Sequence, residues 1–127
     1  VVVEPPRSGK FAKRMSLIRK RSDTSMQQFQ DEWLNMHPLL VKRLPGLLGY
    51  RQNLVIDRQS DRLNPGASGS DVHIDGVVEL WFESAEATEA AFRSPRGVTA
   101  MSHAKEFLGE ISTYMVDVTE IIPEPKA

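Results

Sequence analysis

The spacing of apolar residues along this chain switches from every second position to every third or fourth and back again, and it does so twice. The clearest stretch runs from Gly76 to Glu83, where Val78, Leu80 and Phe82 alternate with Val77, Glu79 and Trp81, as a strand with apolar contacts on both faces requires. Between Met26 and Leu44 the period changes: Met26, Phe29, Trp33, Met36, His37, Leu40 and Leu44 recur at intervals of three and four, so they form one stripe of a helix with His37 inside it. Asp23-Thr24-Ser25 ahead of Gln27-Gln28 is a capping-box start, and Pro45-Gly46 is a stop.

The remaining elements follow from the same two periods. Phe11 to Arg19 reads as a first strand, with Met15 and Leu17 opposed to Ile18. Gly49 to Asp57 reads as a second, with Tyr50, Gln52, Leu54 and Ile56 opposed to Arg51, Asn53, Val55 and Asp57. Ser84 caps a helix through Phe92, Ser94-Pro95 interrupts it, a second helical stretch covers Val98 to Leu108, and Ser112 to Ile122 is the last strand. Residues 59–75, rich in Ser, Asp, Gly and Asn, read as a long loop.

The order β-α-β-β-α-β predicts an α+β, ferredoxin-like fold: a four-stranded antiparallel sheet with both helices on one face, because right-handed crossovers put them there. The other sheet face is then bare, and Val77 and Trp81 on it are too apolar to stay wet, which predicts a homodimer through the sheet face. The expected organisation is a flexible N-terminal arm at 1–10, one domain at 11–122 and a C-terminal tail at 123–127. The arm's prolines, Ser8 and Gly9 suit it poorly to a core.

Charge and composition exclude several function classes. The chain has 127 residues, with 16 basic and 17 acidic side chains and a net charge of -1, so it exerts no long-range pull on nucleic acid or an anionic membrane. The basic residues Lys10, Lys13, Arg14, Arg19, Lys20 and Arg21 read as a solvated flank of the first strand. Glu79 and Glu83 occupy the third strand where an RNA-recognition sheet needs basic and aromatic residues. With no cysteine, disulfides, thiolate metal sites and cysteine nucleophiles are excluded. No apolar run reaches bilayer length, and Val1-Val2-Val3-Glu4 is too short for a signal-peptide core, so a cytoplasmic location is the expectation.

Four motifs in order, Phe29-x3-Trp33-x3-His37-Pro38, Leu44-Pro45-Gly46-x3-Tyr50, Gly76-Val77-Val78-Glu79-Leu80-Trp81-Phe82-Glu83-Ser84 and Ser94-Pro95, resemble the EthD family of the dimeric α/β-barrel superfamily from about Met15 to Ile122. His103-Ala104-Lys105-Glu106-Phe107-Leu108-Gly109 is similar to a segment of the 4-methylmuconolactone methylisomerases. The resemblance implies a dimeric α/β barrel, a pocket between helices and sheet in each subunit, and no metal, flavin or haem cofactor. It also implies the company of catabolic systems, ether degradation among them, and cofactor-free isomerase, lyase or oxidoreductase-associated chemistry.

His37 is the leading catalytic candidate, since an imidazole titrates near neutrality and Pro38 beside it cannot donate to the carbonyl of Leu34, leaving a polar spot in an apolar stripe. The alternative is a core histidine bonded to that carbonyl. His103 shares a helix side with Phe107 and is the second catalytic candidate, facing the same cavity, or else an exposed histidine. Tyr50, Trp33, Phe82 and Phe107 are the expected substrate-binding wall, with core packing as the plainer role of Trp33. Glu79 and Trp81 are expected at the dimer interface or behind the residues that line the pocket, since alternation alone leaves open which face of the third strand meets which; at the interface Glu79 is expected to pair with Arg14, Arg19 or Arg51 rather than to act as a base. The three histidines show no metal-binding spacing. Two functions remain open at this level: a cofactor-free enzyme that moves a proton on a small metabolite, and a non-catalytic small-ligand-binding or accessory dimer.

Overall fold

A computed structural model of the chain describes residues 2–6, 9–59, 73–119 and 121–122. The expected loop at 59–75 lies largely outside these residues and the tail at 123–127 wholly so. The elements are β1 (Ala12–Lys20), α1 (Met26–Gln30), a π-helical stretch (Asp31–Met36), α2 (His37–Val41), β2 (Gly49–Leu54), β3 (Gly76–Phe82), α3 (Ala85–Arg93), α4 (Pro95–Ala104) and β4 (Leu108–Val116). The strands form one antiparallel sheet in the order β2-β3-β1-β4, the ferredoxin-like arrangement expected from the element order.

Local chemistry sets the helix ends. Ser25 Oγ accepts from the Gln28 amide at 3.1 Å while Gln28 Oε1 accepts from the Ser25 amide at 3.1 Å, the capping box read from the sequence. Ser84 Oγ caps α3 through the Ala87 amide, and Ser94 Oγ caps α4 through the Gly97 amide with Pro95 in the first turn, where a missing N–H costs nothing. The second crossover helix therefore starts at Pro95, three residues earlier than expected, and ends at Ala104.

The strand ends differ from expectation for one reason, which is the reach of the neighbouring strand. β2 stops at Leu54 because its partner β3 begins at Gly76. β4 starts at Leu108, opposite Lys20, and stops at Val116, opposite Lys13, within one residue of the two ends of β1. Ile121 and Ile122, assigned by alternation to the last strand, are exposed outside it.

The sheet face under the helices has three cross-strand rows. Tyr50, Leu80, Arg14 and Met115 form one, Gln52, Val78, Ser16 and Thr113 the next, and Leu54, Gly76, Ile18 and Ile111 the third. The helices pack onto these rows through two apolar clusters, one around Val41, Tyr50, Leu80, Phe82, Ala91 and Ala100, the other around Ile18, Phe29, Trp33 and Phe107. Gly76 is required in the third row, since a Cβ there would stand 2.5 Å from the Trp33 ring.

The opposite face carries Val77, Glu79 and Trp81, flanked by Lys13, Met15 and Leu17 and by Arg51 and Asn53. Trp81 is already 5% exposed within the single chain, because the Lys13 ammonium and the Arg51 guanidinium lie 5.0 and 5.6 Å from its ring. The expectation that Trp81 needs a second subunit to leave water is therefore corrected. The first residues also touch the core: Val3 bridges Tyr50 through hydrogen bonds of 2.9 and 3.0 Å, and Val2 and Val3 pack on the first cluster, a contact that the composition of the segment did not suggest.

Candidate functional site

The site begins with Pro38. A proline has no N–H to give, so the turn before it cannot close in the ordinary i→i−4 pattern, and the chain widens into the π-helical stretch Asp31–Met36. His37 ends that stretch by donating its backbone N–H to the carbonyl of Glu32, five residues back. In this register the acceptor orphaned by Pro38 is the carbonyl of Trp33, not that of Leu34, and the Gln52 amide fills it at 2.6 Å. The same Gln52 nitrogen donates to the Tyr50 hydroxyl at 2.9 Å, so both of its hydrogens are engaged.

Widening the turn also changes which side chains share a face. Glu32 and His37, separated by about 140° on an α-helix, come one above the other on a π-turn. His103, at the end of α4, reaches both. His37 Nδ1 and His103 Nδ1 are 2.9 Å apart, and His103 Nε2 is 2.7 Å from Glu32 Oε2. Phe107 packs edge-on against His37 at 5.3 Å and beside His103 at 5.2 Å, which fixes both rings.

The hydrogen positions follow from this chain of contacts. A carboxylate only accepts, so His103 donates from Nε2 to Glu32, its Nδ1 is then an acceptor, and His37 donates to it from Nδ1. That leaves the lone pair of His37 on Nε2, which has no hydrogen-bond partner among the described residues. His37 is 8% exposed, and burial first, then the neighbouring His103, pushes its pKa down to about 4, so the ring is neutral at pH 7. The alternative of a histidine bonded to a freed carbonyl is not what the geometry holds.

His37 borders a cavity of about 40 Å³ between the helices and the sheet, room for roughly three water molecules as it stands. Trp33, Tyr50, Val78 and Leu80 border it from the wall and floor, with Ala100, Met101 and Ala104 from α4 above. Tyr50 is fully buried, and burial, only partly offset by the bond from Gln52, drives its pKa well above the usual phenol value. Its hydroxyl accepts from Gln52 and therefore has its own hydrogen to offer.

The EthD domain family model matches residues 21–110, a span containing His37, Tyr50 and His103. The chain belongs to the EthD family. Among solved structures it resembles an EthD family protein from Bacillus halodurans, at 20% identity and a TM-score of 0.65 over 86% of this chain and 99% of that one. It also resembles a dimeric ferredoxin-like protein from Thermobifida fusca, at 14% identity and 0.63 over 87% and 92% of the two chains. The hydroxynitrile lyase of Passiflora edulis aligns at 16% identity and 0.59 over 91% and 99%. At these identities the likeness establishes the fold. No curated protein matches the sequence.

Within the EthD domain the expected site residues part company. His37, Trp33 and Tyr50 border the cavity, and His103 stands directly behind His37. Phe82 and Phe107, expected as substrate wall, do not border it: Phe82 packs against Phe92 in the core and Phe107 supports the two imidazoles from below. Glu79 and Trp81 lie on the other sheet face. Burial would raise the Glu79 pKa, but hydrogen bonds from Lys13 and Asn53 and the charges of Lys13 and Arg51 outweigh it and hold the carboxyl below its usual range. Its partner is thus Lys13, not the expected Arg14, Arg19 or Arg51 ion pair.

Three site residues escaped the sequence reading. Glu32 was hidden because no α-helical period aligns it with His37. Gln52 looked like an ordinary strand polar residue, although its alternation with Tyr50 put it on the inner face. Arg14 was grouped with a solvated basic run, yet alternation with buried Ser16 and Ile18 was the signal that it turns inward. Among the described residues, no helix is long and apolar enough to cross a membrane and no three acidic or histidine side chains gather as a metal site would require.

Proposed function

We propose that this EthD domain is a cofactor-independent enzyme that moves a proton on a small, largely apolar metabolite, an isomerase or lyase by reaction class, with His37 as the general base. The observation that carries the reading is the His37 ring itself: neutral, on the cavity wall, with Nε2 unbonded among the described residues and Nδ1 backed by His103 and then Glu32.

The chemistry runs in one direction and then back. His37 Nε2 takes a proton from substrate, the Nδ1 proton passes to His103 Nδ1, and the positive charge comes to rest on His103 beside the Glu32 carboxylate. Return of the proton through the same two rings delivers it to a different substrate atom or to a leaving group. Glu32 need not change its proton count; it holds the tautomer and stabilises the imidazolium, as the acid of a hydrolase triad does. Tyr50, which stays protonated, donates to the substrate oxygen on which negative charge develops.

Support also comes from a lyase on the same fold in Passiflora edulis. The dimeric ferredoxin-like protein from Thermobifida fusca supports a homodimer for this chain through the sheet face, where Met15, Leu17 and Val77 are half-buried and Tyr114 is exposed.

The test is hydrogen–deuterium exchange at carbon in a panel of small ketones, lactones and hydroxy acids, with wild type and His37→Gln. Exchange that is lost in His37→Gln supports the base. Saturable binding with no exchange in wild type assigns the cavity to a non-catalytic ligand-binding or accessory dimer.

A further inference from the structure

Among the described residues that border the cavity, Arg14 is the one with a permanent charge. It sits at the opposite side of the floor from Tyr50: both pair with Leu80, one strand to either side, which separates their backbones by about 10 Å. Its guanidinium lies 4.1 Å over the Phe92 ring and donates from Nη2 to Thr113 Oγ1 at 3.2 Å, and Thr113 is tied in turn to the buried Ser16 at 2.9 Å.

The group is held in place but not neutralised. No carboxylate forms an ion pair with Arg14 among the described residues, whereas its neighbour Lys13 on the other sheet face is paired with Glu79. Burial, with no anion to oppose it, brings the Arg14 pKa down to about 10. A guanidinium presents five N–H donors in a planar fork, and one neutral hydroxyl leaves most of them unused in a largely apolar setting. A fixed, partly desolvated fork of this kind matches the two oxygens of a carboxylate. The apolar floor between Arg14 and Tyr50 disfavours a heavily hydrated dianion such as phosphate.

We propose that Arg14 binds the carboxylate of a small, otherwise apolar organic acid, so that the acid's carbon skeleton lies across Val78 and Leu80 with its other end at Tyr50 and His37. This narrows the substrate class of the proposed enzyme and rests on the cavity being a ligand site; it does not require His37 to act as a base.

The experiment titrates acetate, butyrate and benzoate, and the matching primary amides, into wild type, Arg14→Gln, Arg14→Lys and His37→Gln, following heat of binding and the Nε–H resonance of Arg14. At least one carboxylate is expected to bind wild type saturably, to shift the Arg14 Nε–H, and to bind roughly ten- to a hundredfold more tightly than its amide, as a charge-assisted hydrogen bond implies. Arg14→Gln removes that preference and Arg14→Lys keeps part of it. The proposal is overturned if no carboxylate binds wild type, if amides bind equally well, or if carboxylates bind without moving the Arg14 resonance, an observation on wild type that needs no folded variant. A carboxylate preference that survives in His37→Gln, in a protein that shows no proton exchange, removes the acid–base reading and leaves Arg14 in place.

Discussion

The Nδ1 atoms of His37 and His103 face one another at 2.9 Å, with ring centroids 5.1 Å apart and planes inclined by 26°, so the rings meet edge to edge and a single proton is shared between two imidazoles at the edge of the cavity. Which ring holds it is decided from the far side, where His103 Nε2 meets Glu32 at 2.7 Å. The pair is thus biased toward one tautomeric order by a carboxylate that is itself 44% exposed and in contact with solvent.

That bias is open to direct measurement. Long-range ¹H–¹⁵N spectra of wild type are expected to show His103 protonated at Nε2 and His37 at Nδ1, and Glu32→Gln to lose this order. Carbon-bound proton exchange should fall in the same variant by on the order of a hundredfold or more, given that loss of an orienting carboxylate lowers kcat by up to about 10⁴ in a hydrolase triad. An unchanged tautomer pattern in Glu32→Gln would remove Glu32 from the relay.

His37 also makes stability depend on pH. Its folded pKa of about 4 lies below the unfolded value of 6.5, so the unfolded chain binds more protons between these limits. Stability from this group is fully present above pH 6.5 and is lost as pH falls toward 4, by on the order of 3 kcal/mol once the ring is charged in both states. In urea melts the stability of wild type should fall relative to that of His37→Gln as pH drops from 6.5 toward 4, and parallel curves would show that His37 does not titrate as its burial requires.

Gln52 replaces a backbone donor that Pro38 lacks. Gln52→Leu keeps the side-chain bulk and leaves the Trp33 carbonyl without its 2.6 Å donor, so it should destabilise the fold by about 1–3 kcal/mol in a urea melt. Tyr50 loses its hydrogen bond in the same variant.

Gly76 gives the Trp33 ring its seat on the sheet. Gly76→Ala sets a methyl carbon 2.5 Å from that ring and should cost about 1–3 kcal/mol by overpacking, read as a lower melting midpoint.

In the proposed homodimer a second copy sits on the sheet face without helices. Leu17→Asp on β1 combined with Tyr114→Asp on the edge strand β4 places carboxylates on that face and should convert a dimer into a folded monomer by light scattering, with the far-ultraviolet circular dichroism unchanged. A dimer that persists would move the interface elsewhere.

The order of strands and crossover helices, both capping serines of those helices and the disruption at His37-Pro38 were legible in the residues, because each depends on contacts within a few positions along the chain; the π-helical form of Asp31–Met36 was not, since the stripe from Met26 to Leu44 reads as one α-helix. The EthD motifs lay on those same elements. Strand ends were misjudged where alternation ran on past the partner: Ile121 continues the pattern of β4, but β4 stops at Val116, opposite Lys13 and within one residue of the end of β1. Trp81 was read as needing a partner because nothing in its own strand reveals that Lys13 and Arg51, on the two adjacent strands, cover it.

The sequence by itself determined the ferredoxin-like order, since a period of two or of 3.6 is a local property that backbone hydrogen bonding imposes residue by residue. Tertiary structure decided the site. His37 and His103 are 66 residues apart, and only the packing of α4 against the first helical layer brings their nitrogens together. Glu32 joins them because Pro38 forces a wider turn whose register no α-helical period anticipates. Arg14 turns toward the cavity while Lys13 turns away, because alternation fixes that neighbours in a strand point oppositely, and only the helices packed on one face decide which of the two is enclosed.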